Sequence, residues 1–176
     1  NATYTLVSAE TTIAPICVNP QTGSATVTVT PLPTATISGT ATICSGSTTV
    51  ISFAGTANAT ITYTINAGAN QTVTLDATGN ATVTTAALTA NTTYDLVSVD
   101  LGSCNQTQTG SAVVTILLLP TATISGTATI CSGTTATVTF SGTANATITY
   151  TIDAGANQTV TLDATGNATV STPVLT

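Results

Sequence analysis

Apolar and polar residues alternate with a period of two along most of the chain. Ile61-Thr-Tyr63-Thr-Ile65 and Val73-Thr-Leu75 are clear cases, and this spacing puts one face of a strand on a core and a threonine face in water. Read from Pro33, the alternation predicts strands at Thr34–Ser38 and Ala41–Cys44 (A and A′), Thr48–Ala54 (B), Thr60–Ile65 (C) and Gln71–Asp76 (D). Three more follow at Ala81–Thr85 (E), Thr93–Val99 (F) and Ser111–Leu118 (G). The breaks between them, Ser45-Gly46-Ser47, Gly55, Ala67-Gly68-Ala69-Asn70 and Thr78-Gly79-Asn80, carry the Gly, Asn and Ser that turns require.

The pattern repeats. PTATISGTATICSG stands at Pro33–Gly46 and again, unchanged, at Pro120–Gly133, an offset of 87 residues. Pro33–Thr89 matches Pro120–Thr176 with ten differences, among them Asn66 for Asp153, and the same offset aligns Cys17 with Cys104 and Gln21–Ala25 with Gln108–Ala112. Solenoid units run about 20–50 residues, so a period of this size fits a whole small domain. The expected fold is therefore all-β, with tandem immunoglobulin-like sandwich repeats of 87 residues. Tyr94, entering strand F after Leu88–Thr93, is a candidate tyrosine corner whose hydroxyl would turn back onto that approach.

The repeats are out of phase with the chain. Asn1 corresponds to Asn91, so residues 1–32 carry strands F and G of one repeat, 33–119 a complete repeat, and 120–176 strands A to E of the next. Two explanations stand side by side. The chain is a window on a longer tandem array, or it is a subunit whose F and G strands complete the A–E half of a neighbour by strand donation. In both, the open strands Thr3–Ser8 and Ala25–Thr30 need a neighbouring copy to cover them.

Composition narrows the function. There is no Lys, Arg or His, and the acids are Glu10, Asp76, Asp95, Asp100, Asp153 and Asp163. Without a basic side chain nothing can neutralise phosphates or anionic lipid, which removes nucleic acid as a partner. No apolar run approaches bilayer length, so membrane insertion is not expected either. Lacking Met and a positively charged start, the sequence reads as a processed chain or an excerpt of a longer one. The abundance of Thr, Val and Ile argues against disorder.

Cys17, Cys44, Cys104 and Cys131 have no His or second nearby Cys for a metal site and read as disulfide partners in an oxidising, extracellular setting. Strand directions place Cys44 at the A–B end of its domain and Cys104 at the opposite, F–G end. The expectation is bridges between domains: Cys44 to the Cys17 equivalent that follows it, Cys104 to the Cys131 equivalent that precedes it. An intradomain bond is the alternative if A′ and B are arranged differently.

Catalytic chemistry is not expected, since a usual general base, electrophilic clamp or Schiff-base lysine is missing. Asp76 and Asp163, at equivalent places in LDATGNAT, each stand with one Asn and no further acid, which fits a turn-forming role better than a metal site or a carboxylate pair. No cofactor is expected. Lys–Asn isopeptide cross-links are impossible, so covalent reinforcement falls to cysteine. Nine Asn-X-Thr triplets (Asn1, Asn58, Asn70, Asn80, Asn91, Asn105, Asn145, Asn157, Asn167) lie on predicted loops or loop edges, where a glycan would fit. Strand G of the first copy alternates cleanly through Val27 and Val29, while the second adds Val113 and Leu117 on the other face. These four are the candidate polymer contacts, with cover by the repeat's own A strand as the alternative for the added pair.

PTATISGTATICSG, TTATVTFSGT, ATITYTI, NQTVTLDATGNATV, and NTTYDLVSV followed by a Cys and QTGSA together resemble the tandem Ig-like repeats of very long cell-surface and secreted proteins of Bacteroidota, the flavobacterial type especially. The resemblance covers essentially the whole chain. It implies export to the cell surface or medium and a role as adhesin stalk or surface filament. The expected function is a structural building block of an extracellular fibre, its partners other copies head to tail, with a domain pitch of about 35–45 Å. The alternative is a binding module whose loops recognise glycans or a host surface.

Overall fold

A computed structural model describes residues 1–176. It is all-β, with several sheets and no helix, and the chain divides into two compact units, Asn1–Ile116 and Leu117–Thr176.

The first unit begins with a hairpin of β1 (Ala2–Glu10) and β2 (Val18–Val27), which pair only with each other. Two facing sheets follow. One is β3 (Ala35–Ser38), β5 (Val50–Gly55) and β8 (Asn80–Thr84), in the order β3-β5-β8. The other uses β4 (Ala41–Cys44), β6 (Thr60–Ile65), β7 (Gln71–Thr74), β9 (Thr92–Leu101) and β11 (Ser111–Leu117), in the order β4-β11-β9-β6-β7. A short β10 (Cys104–Thr107) pairs with the far half of β9.

The two-residue period is what builds the sandwich. Ile51 and Phe53 point inward from one sheet and Ile61, Tyr63, Tyr94, Leu96, Ala112 and Val114 from the other, all buried. The aromatic rings stack through the middle, Phe53 to Tyr63 at 5.0 Å and Tyr63 to Tyr94 at 6.5 Å between centroids. On the outer face, cross-strand threonines meet, as Thr60 and Thr74 do with hydroxyls 3.4 Å apart. The chain changes sheets between β3 and β4 at Gly39. Its φ of +118° is glycine's own, and a Cβ there would sit 2.6 Å from the Val50 carbonyl oxygen.

Apart from the strand expected at Ala25–Thr30, which is found at Val18–Val27, and the second-copy A′ at Ala128–Cys131, which forms no strand, the predicted strands lie within two residues of where the alternation puts them, with one extension. β9 runs on to Leu101 and turns back through Gly102-Ser103 into β10, so the last hairpin is longer than the sequence reading. The tyrosine corner is not formed. Tyr94 is buried in the core against Tyr63, and the approach to β9 is held instead by the Thr92 hydroxyl donating to the Ala90 carbonyl at 3.0 Å. Burial first, and the neighbouring Tyr63 second, push the Tyr94 hydroxyl pKa above its ordinary 10.0.

The second unit contains β12 (Ala122–Ser125), β13 (Thr137–Gly142), β14 (Thr147–Tyr150), β15 (Gln158–Thr161) and β16 (Asn167–Ser171). They form a sheet β12-β13-β16 and a separate pair β14-β15. Registers follow those of the first unit 87 residues earlier: Ala122 faces Gly142 as Ala35 faces Gly55, and Thr147 faces Thr161 as Thr60 faces Thr74. No strands corresponding to β9 and β11 are present in this unit.

Candidate functional site: an unpacked hairpin and an open sandwich

In the first unit the pair β9–β11 closes the core. β9 lies between β6 and β11, with Thr60 opposite Asp100 and Ile65 opposite Tyr94 on one side, and Ala112 opposite Tyr94 on the other. Two further bonds clasp its start: the Thr93 N–H donates to Asn66 Oδ1 and the Asn66 N–H to the Thr93 carbonyl, each at 2.8 Å. The Ile116 N–H donates to Asn91 Oδ1 at 2.7 Å, tying the two strands together at their free end.

The β1–β2 hairpin repeats this arrangement with nothing beneath it. Tyr4 faces Ala25 as Tyr94 faces Ala112, and Ala2 faces Val27 as Thr92 faces Val114. The Val29 N–H donates to Asn1 Oδ1 at 2.9 Å, the counterpart of the Asn91 brace. Yet Tyr4 is 66% exposed where Tyr94 is 3%, and Val27 54% where Val114 is fully buried. Leu6 and Val29 are exposed as well. The hairpin thus exposes an apolar stripe and two unpaired strand edges together.

The second unit has the complementary defect. Between its two small sheets lies a cleft of about 420 Å³ lined by Ile124, Val138, Phe140, Tyr150, Ile152 and Val170. Phe140 and Leu162 are the buried apolar side chains of this unit, and the Phe140–Tyr150 stack, 5.0 Å between centroids, matches Phe53–Tyr63. Ile124 is 64% exposed, although its counterpart Ile37 packs against the core of the first unit.

The cysteines lie at opposite ends of the finished sandwich. Cys104 pairs with Leu101, the last residue of β9. Cys44 sits where the Gly46 N–H donates to the Leu88 carbonyl, just ahead of the start of β9 at Thr92. The length of β9 separates these ends by roughly 30 Å, whereas a disulfide needs Cα atoms within about 7 Å. Cys44 and Cys104 are thus out of reach of one another, and all four sulfurs are unpaired within the chain. Cys17 lies in the exposed β1–β2 loop, its N–H donating to Thr11 Oγ1 at 2.9 Å, and Cys131 is also exposed.

Asp76 and Asp163 are turn residues. Asp76 Oδ1 accepts from the Thr78 hydroxyl at 2.6 Å, the Thr78 N–H at 2.8 Å and the Asn80 N–H at 3.0 Å, and Asp163 does the same with Thr165 and Asn167. These bonds, the threonine hydroxyl's foremost, hold both carboxyls below the ordinary 3.8. A depressed carboxylate pKa stabilises the fold above its unfolded value, and that stabilisation disappears as pH falls through the folded value. Thermal stability should therefore not fall through these two groups between pH 7 and about 4, and their share should be lost below that. A melting series across this range checks it, and Asp76→Asn with Asp163→Asn should flatten the acid limb.

Val113 and Leu117 point outward from β11 and are partly exposed, with β4 beside them in the same sheet rather than over them. Phe53, Tyr63, Tyr94 and Phe140 are buried and Tyr150 is half-buried, so Tyr4 is the exposed aromatic residue. The cleft itself was not visible in the sequence as a set of residues. No protein-family model matches the chain, and no curated protein matches it.

Proposed function

We infer that this protein is a structural building block of an extracellular fibre or adhesin stalk, made of Ig-like repeats of 87 residues set head to tail. The observation that carries the reading is the pairing of defects: a hairpin with an uncovered apolar face in one segment and a sandwich without its closing strands in another. A chain so built satisfies its backbone edges only in an array. Near-identity of the repeats supports a uniform rod over a dedicated site, as does an interior that holds nearly all the aromatic side chains. Four cysteines at domain ends fit staples between neighbours, Cys44 with Cys17 and Cys104 with Cys131 of adjoining copies. Each bond would form from two thiols by exchange with an external disulfide oxidant, which accepts the two electrons.

Native material examined by electron microscopy should show rods with an axial repeat of about 40 Å. On a denaturing gel without reductant it should run as a ladder or very large species. Collapse to single chains on reduction would identify disulfide-joined subunits, and a giant band in both lanes one continuous chain. Monomers in both lanes together with no rods on the grid would remove the structural reading.

A further inference from the structure

The inference here rests on the head-to-tail reading and names the joint. We propose that the cleft of residues 120–176 is a binding site for segment Asn1–Thr30 of a second copy of this chain, which enters as a preformed hairpin and completes the sandwich.

The occupant is specified position by position. In the finished domain β6 is paired on both sides, by β7 and by β9, whereas β14 has only β15. Carrying the β6–β9 register across puts Tyr4 opposite Ile152, Leu6 opposite Tyr150 and Glu10 opposite Thr147. The ladder of β6 and β9 shifts between Thr62 and Tyr63, skipping Val97, and β1 already carries its irregularity between Leu6 and Ser8, at the corresponding place. On its β2 side the hairpin already has the register of the finished domain, Glu10 with Val18 as Asp100 with Asn105 and Tyr4 with Ala25 as Tyr94 with Ala112. Tyr4, Leu6, Ala25 and Val27 would then occupy the positions that Tyr94, Leu96, Ala112 and Val114 fill over Phe53 and Tyr63.

Two local features agree. Ile37 Cγ2 lies 3.3 Å from where a Cβ on Gly110 would stand, so a bare residue lets Ile37 pack closely at that point. The residue corresponding to Gly110 is Gly23, and the one corresponding to Ile37 is the exposed Ile124. The clasp of Asn66 on Thr93 becomes Asp153 on Thr3, where a carboxylate replaces an amide as acceptor for a backbone N–H. A charge-assisted bond of this kind is stronger than the neutral one inside the domain.

The same geometry accounts for a strand that is absent from the second unit. Ala41–Cys44 forms β4 beside β11, but the identical Ala128–Cys131 forms no strand. Insertion of β2 would supply its partner.

Complementary variants test the joint. Val27→Asp removes the donor and Ile124→Asp the acceptor, and both positions are exposed in the free chain, so the fold tolerates the change. In sedimentation velocity the wild type should form a concentration-dependent series of oligomers and each variant alone should stay monomeric. An equimolar mixture of the two should give a one-to-one dimer and nothing larger. A mixture that stays monomeric, or single variants that still associate through bare strand edges, would overturn the proposal. Hydrogen exchange on the unmodified chain gives a second reading: amides of Tyr4–Leu6 and Ala128–Cys131 should slow at least tenfold on assembly, and unchanged rates in the oligomer would overturn it. Microscopy separates the joint from the fibre. Closed rings built by the wild type would keep the joint and remove the fibre, while rods that persist in the Val27→Asp chain would keep the fibre and remove the joint.

Discussion

Ile61→Ala should destabilise the first unit by about 3–4 kcal/mol, while the same change at the matching Ile148 should cost the second unit only about 1 kcal/mol. The two isoleucines occupy identical sequence, TITYTI, on β6 and β14. Ile61 is fully buried because β9 runs alongside β6 and closes the core above it, so its removal leaves a cavity lined on every side. Ile148 is half-exposed beside the cleft, and water or neighbouring side chains can enter the space. Native-state hydrogen exchange resolves the two, read at amides of β6 and β14 separately. Equal costs in the monomer would mean that the second unit has closed its own core without a partner. Under assembling conditions the gap should narrow, since a bound hairpin buries Ile148 as β9 buries Ile61.

The second large effect is steric. Gly55→Ala should cost about 2–3 kcal/mol. A Cβ at this position would stand 2.1 Å from the Thr34 carbonyl oxygen and 2.9 Å from the Ala35 Cα, both backbone atoms that cannot rotate away. Relief requires β3 to move off β5, which breaks the register Ala35–Gly55 and the bond from the Thr56 N–H to the Thr34 carbonyl at 2.9 Å. Gly142 repeats the arrangement, with the Thr121 oxygen at 2.0 Å from the built Cβ, so Gly142→Ala should behave alike. Urea unfolding checks both. A lowered midpoint with an unchanged slope is the expected result, and a loss under about 0.5 kcal/mol would mean that β3 is free to shift.

Much of the strand layout was legible in the chain. Thr60–Ile65 and Ala41–Cys44 are observed with the bounds that the alternation predicts, and the turns at Gly46, Ala67-Gly68 and Gly79 fall where expected, whereas Gly55 closes β5 and the following turn is made at Asn58. Period-two spacing and turn chemistry are local, and local rules suffice where a strand has partners on hand. β10 escaped the reading because CNQT has little apolar alternation, and its pairing follows from the tight turn at Gly102-Ser103 rather than from its own residues. The tyrosine corner failed for a different reason: the core below Tyr94 could use the ring, and a threonine was nearer the backbone of the approach.

The repeated fourteen residues mark where sequence ends and tertiary structure begins. PTATISGTATICSG folds as β3 and β4 at Pro33–Gly46 but as β12 alone at Pro120–Gly133. TITYTI likewise makes a six-residue strand at Thr60–Ile65 and a four-residue one at Thr147–Tyr150. By itself the sequence determined which residues can be strands, which face of each is apolar and where the chain must turn. Whether those strands formed, and whether an apolar face became a core or an open cleft, was decided by the presence of β9 and β11. A strand's backbone hydrogen bonds and half of its buried surface belong to its neighbours, and no property of its own residues can supply them.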